Sequence, residues 1–285
     1  MDLPQLANRI RQHVVNMVYK AKSGHMGGAL GITDVLTYLY FKELKIDPKR
    51  GDWSERDRFV LSPGHVVPGL YAVLAERGFF PVAELDTLRA NNSRLKGHTF
   101  RNLDIGVETT GGSLGQGFSL ALGMAMNAKI KDLDYRTYCI ISDGELNEGQ
   151  IWEGLMFGYK HELDNLCVIL DRNHIQLSDQ TEIIMPTEPI VDKLKAFNWQ
   201  VLEIDGHDFG QIGFALSKSK IIKGRPTIII ANVTAGRGVS FMENNSAWHG
   251  KAPNDAEFKL AIPVSYTHLR AHETKANLVC RLLLE

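Results

Sequence analysis

An α/β fold, with a doubly wound parallel sheet flanked by helices, is what this sequence predicts, on two observations. From residue 136 onward short apolar runs alternate with amphipathic stretches: strand 136–142, helix 148–161, strand 166–171, helix 190–196, strand 199–204, helix 208–218 and strand 226–231. Strands separated by helices form right-handed β-α-β units, and these build a parallel sheet. The second observation is the stretch "ISDGELNEGQIWEGL" (141–155), where an apolar strand stops at Asp143-Gly144 and helix follows, not the second strand of a hairpin.

The N-terminal half supplies the covering layers. Leu6, Ile10, Val14, Met17 and Val18 fall on one face at helical spacing, so a first amphipathic helix ends near "KSGHMGG", where a glycine loop is expected. A second helix is predicted from about Ile32 to Phe41, a short strand over "RFVLS" (58–62), and a helix over "VPGLYAVLAERG" (67–78). The glycine-rich "TTGGSLGQG" (109–117) precedes "FSLALGMAMNAKI", whose nearly continuous apolar character predicts a buried helix. Without internal repeat or linker, one domain is expected over residues 1–262.

Composition narrows the function classes. The 32 basic and 33 acidic residues nearly cancel, so no global field draws the chain toward nucleic acid or an anionic membrane. No run approaches the roughly 20 apolar residues that span a bilayer, and "MDLPQLANRIRQHVV" lacks a signal-peptide core, so the cytoplasm is expected. Cys139 and Cys167 lie in apolar strand runs and read as buried thiols without disulfides. The tail is different: "VSYTHLRAHET" (264–274) resembles one frame of a sequencing-library adapter, so residues 263–285 are expected to lie outside the native fold, and His268 and His272 receive no metal reading.

In a parallel sheet the carboxyl ends of neighbouring strands lie at one edge, where ligands of open α/β sheets bind. Asp143 ends one strand and Asn173 follows the next, "NLCVILDRN", so the two converge there. A carboxylate and an amide carbonyl are hard oxygen ligands suited to Mg²⁺ or Ca²⁺, and such an ion leaves positions free for phosphate oxygens. Gly144 leaves room for backbone approach, and a helix starting near Glu148 offers N–H groups to an anion. An Asp-Gly turn with an N-cap accounts for the same residues. The glycines at 112, 115 and 117 do not follow the G-x-G-x-x-G order, and no G-K-[ST] occurs, which disfavours dinucleotide and P-loop sites.

The segments "KSGHMGGALG", "DRFVLSPGH", "LKGH", "GVETTGGSLGQG", "DGELNEGQIWEG" and "GRGVSFMENNSAWHGKAPND", in this order, resemble the transketolase family. "SDG" with Asn173 downstream is similar to the thiamine diphosphate motif. The length matches the N-terminal subunit of a split transketolase. The resemblance implies metal ligation (Mg²⁺ or Ca²⁺) by Asp143, Asn173 and the carbonyl of Ile175, with the Gly144 N–H and His65 on the diphosphate of thiamine diphosphate. It implies that His25, His98 and His249 face the reacting carbon and the sugar hydroxyls, that the backbone of Leu114 contacts the aminopyrimidine, and that Glu148 and Glu153 join paired active sites across a subunit interface. Imidazoles suit such work because they move protons near neutral pH without a permanent charge. Three separated Gly-His pairs, at His25, His65 and His98, favour a shared site, whereas His13, His161, His174 and His207 read as surface or second-layer residues. Three positions depart from the family pattern: Ser142 for the first motif glycine, Met26 for proline after His25, and Thr99 after His98.

The implied activity is transfer of a two-carbon ketol unit from a ketose phosphate to an aldose phosphate, with a separate C-terminal subunit completing a heterotetramer. A fragment of an enzyme like 1-deoxyxylulose-5-phosphate synthase and a non-catalytic scaffold subunit are the rival readings. Trimming residues 264–285 is expected to leave folding and partner binding intact. A loss of more than about 2 kcal/mol, the scale of removing a large buried side chain, in a denaturation comparison of full and trimmed chains would show that the tail belongs to the fold.

Overall fold

The computed structural model describes residues 1–262; the expectations for the tail lie outside the described residues. The strands are β1 (Arg58–Leu61), β2 (Thr137–Ser142), β3 (Leu166–Arg172), β4 (Ile175–Gln176), β5 (Asp179–Gln180), β6 (Gln200–Asp205) and β7 (Thr227–Asn232). Five of them form one sheet in the order β1-β2-β3-β7-β6, parallel throughout, and β4 and β5 make a small antiparallel hairpin of their own. The α-helices with which they alternate are α1 (Leu3–Ala21), α2 (Met26–Gly31), α3 (Thr33–Tyr38), α4 (Val67–Arg77), α5 (Gln116–Ile130), α6 (Gly149–Lys160), α7 (Thr181–Ile184), α8 (Ile190–Ala196) and α9 (Phe209–Ile221).

Strand alternation divides the core in two. Tyr138 and Ile140 of β2, Ile169 of β3 and Ile229 of β7 join the layer built by α1, α3, α4 and α9. Cys139, Ile141, Val168, Leu170 and Ile230 point the other way, into the layer of α5, α6 and α8. Both faces are covered, which is why these strands read as unbroken apolar runs. Cys139 and Cys167 are free and buried, as expected.

Three expectations change. The glycine loop after α1 is helical from Met26. Its glycines serve close packing: a Cβ on Gly28 would stand 2.6 Å from Val66 Cγ1, and one on Gly31 would stand 3.0 Å from the carbonyl oxygen of Thr234. The next helix is shorter than predicted, ending at Tyr38 and running into a π-helical turn over Leu39–Glu43. Helix α5 is buried on one side only. Phe118, Ala121, Leu122 and Ala125 pack on the sheet, whereas Leu120 is 44% and Ile130 70% exposed. Its outer face carries apolar residues that the other described residues leave uncovered, and α6 likewise exposes Met156, Phe157 and Tyr159.

Helix α5 meets the end of β1 at Gly117, where a Cβ would lie 2.5 Å from the Cα of Ser62. Gly117→Ala is therefore expected to lower unfolding stability by about 1–3 kcal/mol, the cost of overpacking against backbone. Urea denaturation measures it; an unchanged midpoint would mean that α5 is free to move away from β1.

Candidate functional site

At the carboxyl edge of β1, β2 and β3 lies a cleft of about 230 Å³, and four histidines from four separate segments enter it. His25 is the N-cap residue of α2, and His65 sits in the short 3₁₀ turn Gly64–Val66 after β1. His98 ends the "LKGH" loop, and His249 follows the 3₁₀ turn Ser246–Trp248. Ring centroids are 5.0 Å apart for His25 and His65, 5.6 Å for His25 and His249, 5.4 Å for His65 and His249, and 6.2 Å for His25 and His98.

Burial holds these rings neutral. Desolvation, then the neighbouring His249, Arg89 and His98, lower the pKa of His25 to about 4. Desolvation, then His25, His249 and His98, lower that of His65 to about 3. His98 is lowered by burial and Arg89, and His249 by burial. Nδ1 of His25 is buried without a hydrogen-bond partner among the described residues, so that nitrogen is available to a ligand.

The other wall is the edge of β2 and β3. Asp143 is fully buried; its Oδ1 accepts from Nη1 of Arg172 at 2.9 Å and its Oδ2 from the N–H of His174 at 2.6 Å. Arg172, only 2% exposed, is balanced further by Glu188 at 2.6 Å and Glu182 at 3.5 Å. Asn173 donates from Nδ2 to Asp171 Oδ1 at 3.1 Å and accepts on Oδ1 from the N–H of Ile175 at 2.9 Å. Burial, then the charge of Asp143, pushes the pKa of Asp171 up to about 8. Asn173, Ile175, Gly144 and Leu114 line the cleft, and the Leu114 carbonyl accepts from Gln150 at 2.9 Å.

Two oxygens of residues lining this wall, Asp171 Oδ2 and Gln176 Oε1, are buried without a hydrogen-bond partner among the described residues. Unpartnered oxygens beside an Asp and an Asn suit a hard cation with its anionic ligand, whose positive charge would favour the ionised form of Asp171. A Cβ on Gly144 would stand 3.5 Å from Gln176 and 3.9 Å from Leu114, filling the cradle that glycine leaves open. The residues thus fit the diphosphate and metal expected from the sequence. Among the described residues no three His, Cys, Asp or Glu side chains cluster for metal binding, and the expected set uses one carboxylate, one amide and one backbone carbonyl instead.

The helix expected near Glu148 is α6, with Glu148 as its N-cap residue and Gly149 as its first residue, and a 3₁₀ turn, Asp143–Asn147, lies between it and β2. The N–H groups nearest the cleft therefore belong to that turn, because the capping box of Ser142 and Glu145 starts it directly at the strand end. Glu148 and Glu153 are exposed and do not line the cleft of this chain.

Sequence reasoning missed Glu145. It is fully buried, and its carboxylate accepts from the Ser62 hydroxyl, from the Gly115 N–H at 2.7 Å and from the Ser142 N–H at 2.9 Å. The S-x-x-E spacing of a capping box was the available signal. Arg172 was also missed, although an Asp-Arg pair closing an apolar strand marks buried charge.

Residues 4–264 match the family described as Transketolase, thiamine diphosphate binding domain. The chain is 43% identical to the 6-deoxy-6-sulfo-D-fructose transketolase subunit of Clostridium sp. (strain MSTE9), over 92% of this chain and 95% of that protein. It is 40% identical to an apulose-4-phosphate transketolase subunit of Phocaeicola vulgatus, over 88% of this chain and 89% of that one. Among solved structures, the transketolase of Campylobacter jejuni superposes with a TM-score of 0.86 at 33% identity, covering 92% of this chain but 42% of that longer one.

Burial sets the folded-state pKa values of His25 and His65 far below the ordinary 6.5, so between pH 6.5 and about 3 the unfolded chain binds protons that the folded chain refuses. Stability is thus complete above pH 6.5 and falls as the pH drops through that window. Melting temperature against pH checks this, and His65→Gln is expected to flatten the slope. A slope identical in parent and variant would remove the burial cost from His65.

Proposed function

The chain belongs to the transketolase family, as an N-terminal, thiamine diphosphate-binding subunit of a split enzyme, and from that premise we propose that it works with a separate C-terminal subunit. Together the two transfer a two-carbon ketol group from a ketose phosphate to an aldose phosphate. The observation that carries this reading is the convergence of four neutral histidines on a cleft whose opposite wall is the Asp143 and Asn173 edge. Asp143, Asn173 and the Ile175 carbonyl would hold Mg²⁺ or Ca²⁺, and the Gly144 backbone and His65 would hold the diphosphate. Leu114 would face the aminopyrimidine through its backbone. Thiamine diphosphate, when bound, supplies the carbon nucleophile and the electron sink.

The chain's own residues position and move protons. His25, His98 and His249, uncharged at neutral pH, donate to or accept from the carbonyl and hydroxyls of a sugar held between them. Because burial keeps them neutral, they do so without repelling a bound cationic ring. The two relatives named above act on a sulfonated ketose and a ketose phosphate, which supports a ketose bearing a terminal anion as substrate.

The partner and the heterotetramer are supported by surfaces that the described residues leave open. Leu177 (66% exposed), Ile183 (65%) and Met185 (56%) project from the hairpin region beside the cleft, and α5 and α6 expose the apolar residues described above. Patches of this kind mark protein contacts. Glu148 and Glu153, exposed at and near the start of α6, would meet the second site across such a contact. Among the described residues no helix is long and apolar enough to cross a membrane.

Co-expression with the C-terminal subunit, followed by a thiamine-dependent ketol-transfer assay, tests the reading. The chain alone is expected to bind thiamine diphosphate weakly by calorimetry and to show no more than background transfer; robust transfer without a partner would sink the split-subunit reading. In the complex, Asp143→Ala is expected to abolish metal-dependent cofactor binding. His98→Ala is expected to lower kcat by roughly a hundredfold, the scale of one general acid or base, with cofactor affinity unchanged. Equal metal dependence in Asp143→Ala and the parent removes Asp143 from the ligand set.

A further inference from the structure

Behind the histidine cleft, away from the cofactor wall, lies a second histidine arrangement. His207 follows β6 in the sequence "DGHD" and is packed tightly, its side chain 11% exposed. Its backbone N–H donates to Asp205 Oδ1 at 2.8 Å, and the next residue, Asp208, caps α9 through the N–H groups of Gly210 and Gln211. A Cβ on Gly206 would stand 2.4 Å from Val233 Cγ1, so the turn is pressed against the chain leaving β7.

Both ring nitrogens are engaged, and with different partners. Nε2 lies 2.8 Å from the backbone N–H of Thr234, and Nδ1 lies 2.7 Å from Asp34 Oδ2. A backbone N–H can only donate, so Nε2 must accept and the ring proton must sit on Nδ1, donating to Asp34. Asp34 also accepts from Nη2 of Arg11 at 2.5 Å, and Arg11 reaches the Leu30 carbonyl from Nε at 3.2 Å. Burial works against the Asp34 charge, but Arg11 and His207 outweigh it, and its carboxyl stays below the ordinary range.

Thr234 begins a bonded path into the cleft. Ala235, the next residue, lines the cleft and its carbonyl accepts from the Asn244 N–H at 3.0 Å. The Gly236 N–H donates to the Gly27 carbonyl of α2 at 2.8 Å, two residues from His25. Asn245 caps the turn before His249 by accepting from the Ala247 N–H at 3.1 Å, and the His249 N–H closes that turn on Ser246 at 2.9 Å.

We infer that His207 is a positioning residue: through its Nε2 bond to Thr234, and only as the Nδ1–H tautomer, it holds the 234–249 segment against α2 and so sets His249 relative to His25. That its target is a catalytic pair rests on the proposed ketol transfer; the geometry itself does not. Glutamine at 207 keeps an acceptor at the Nε2 position, whereas asparagine keeps only a donor at the Nδ1 position, so the two variants separate the Thr234 bond from the Asp34 bond.

The test uses the full chain. Long-range ¹H–¹⁵N spectra of the parent are expected to show His207 as the Nδ1–H tautomer. Amide exchange across 234–249 is expected to rise by about tenfold or more in His207→Asn, the sign of local opening, with the ring signals of His25 and His249 displaced. His207→Gln is expected to restore both. An Nε2–H tautomer in the parent, or equal behaviour of the two variants, would overturn the inference. If the complex shows no ketol transfer, the proposed function fails, and these spectra still decide the role of His207.

Discussion

The cleft depends above all on one buried carboxylate. Glu145 ties the end of β1 through Ser62, the glycine-rich segment through Gly115 and the end of β2 through Ser142. Three chain segments far apart in sequence are thereby held to one point. A carboxylate taken out of water costs several kcal/mol unless its lone pairs are satisfied. Even with those donors, burial pushes the Glu145 pKa up to about 7, so the desolvation cost is not fully offset. The site keeps the residue despite that cost, because no neutral side chain accepts from a hydroxyl and two backbone N–H groups at once with the same reach. Once Glu145 is in place, Ser142 caps the 3₁₀ turn, Gly144 faces the cleft, and Leu114 is brought opposite it.

Ser142, which stands where the family pattern has glycine, is part of that arrangement. Its backbone is extended at φ −121° and ψ 167°, a conformation any residue adopts, so no left-handed turn is lost. Its hydroxyl accepts from the N–H of Glu145 as the other half of the capping box. The substitution thus adds a local restraint without altering the path of the chain. Charge is arranged around it with equal economy: acidic groups gather at the β2 and β3 edge, where Arg172 compensates them, while the opposite wall carries four rings held neutral by burial. A cation and its anionic ligand suit the first wall, and the neutral, polyhydroxylated part of a sugar suits the second.

The regular elements were legible because parallel strands covered on both faces leave unbroken apolar runs; strand 136–142 and helix 190–196 match the observed β2 and α8 within a residue. The convergence of Asp143 and Asn173 was legible too, since topology alone brings strand ends together. What escaped depended on contacts distant in sequence. The helix α2 hides in a run of glycines chosen by close packing against Val66 and Thr234. Glu145 looked like a surface acid in a polar stretch, and its burial follows from Ser62, 83 residues away. The outer face of α5 read as core because pattern analysis counts apolar residues and cannot tell which body covers them.

That uncovered face bears on how the site is completed. The histidines and the Asp143–Asn173 edge form two walls of a cleft that the described residues leave open, and the hairpin that borders it carries Leu177, with Ile183 and Met185 exposed just beyond. A surface left to water would gain nothing from such residues, since each large apolar side chain exposed forgoes about 1.5–3 kcal/mol of burial. The same argument applies to Leu120, Ile130, Met156 and Phe157 on α5 and α6. The two patches belong to different parts of the molecule, one beside the cleft and one on the outer helices. Two patches in separate places allow two distinct protein contacts, and any closed assembly that contains two kinds of interface needs both. Glu148 and Glu153, exposed at and near the start of α6, lie beside the second patch and outside the cleft, so any influence they have on the chemistry of this cleft must act from a distance.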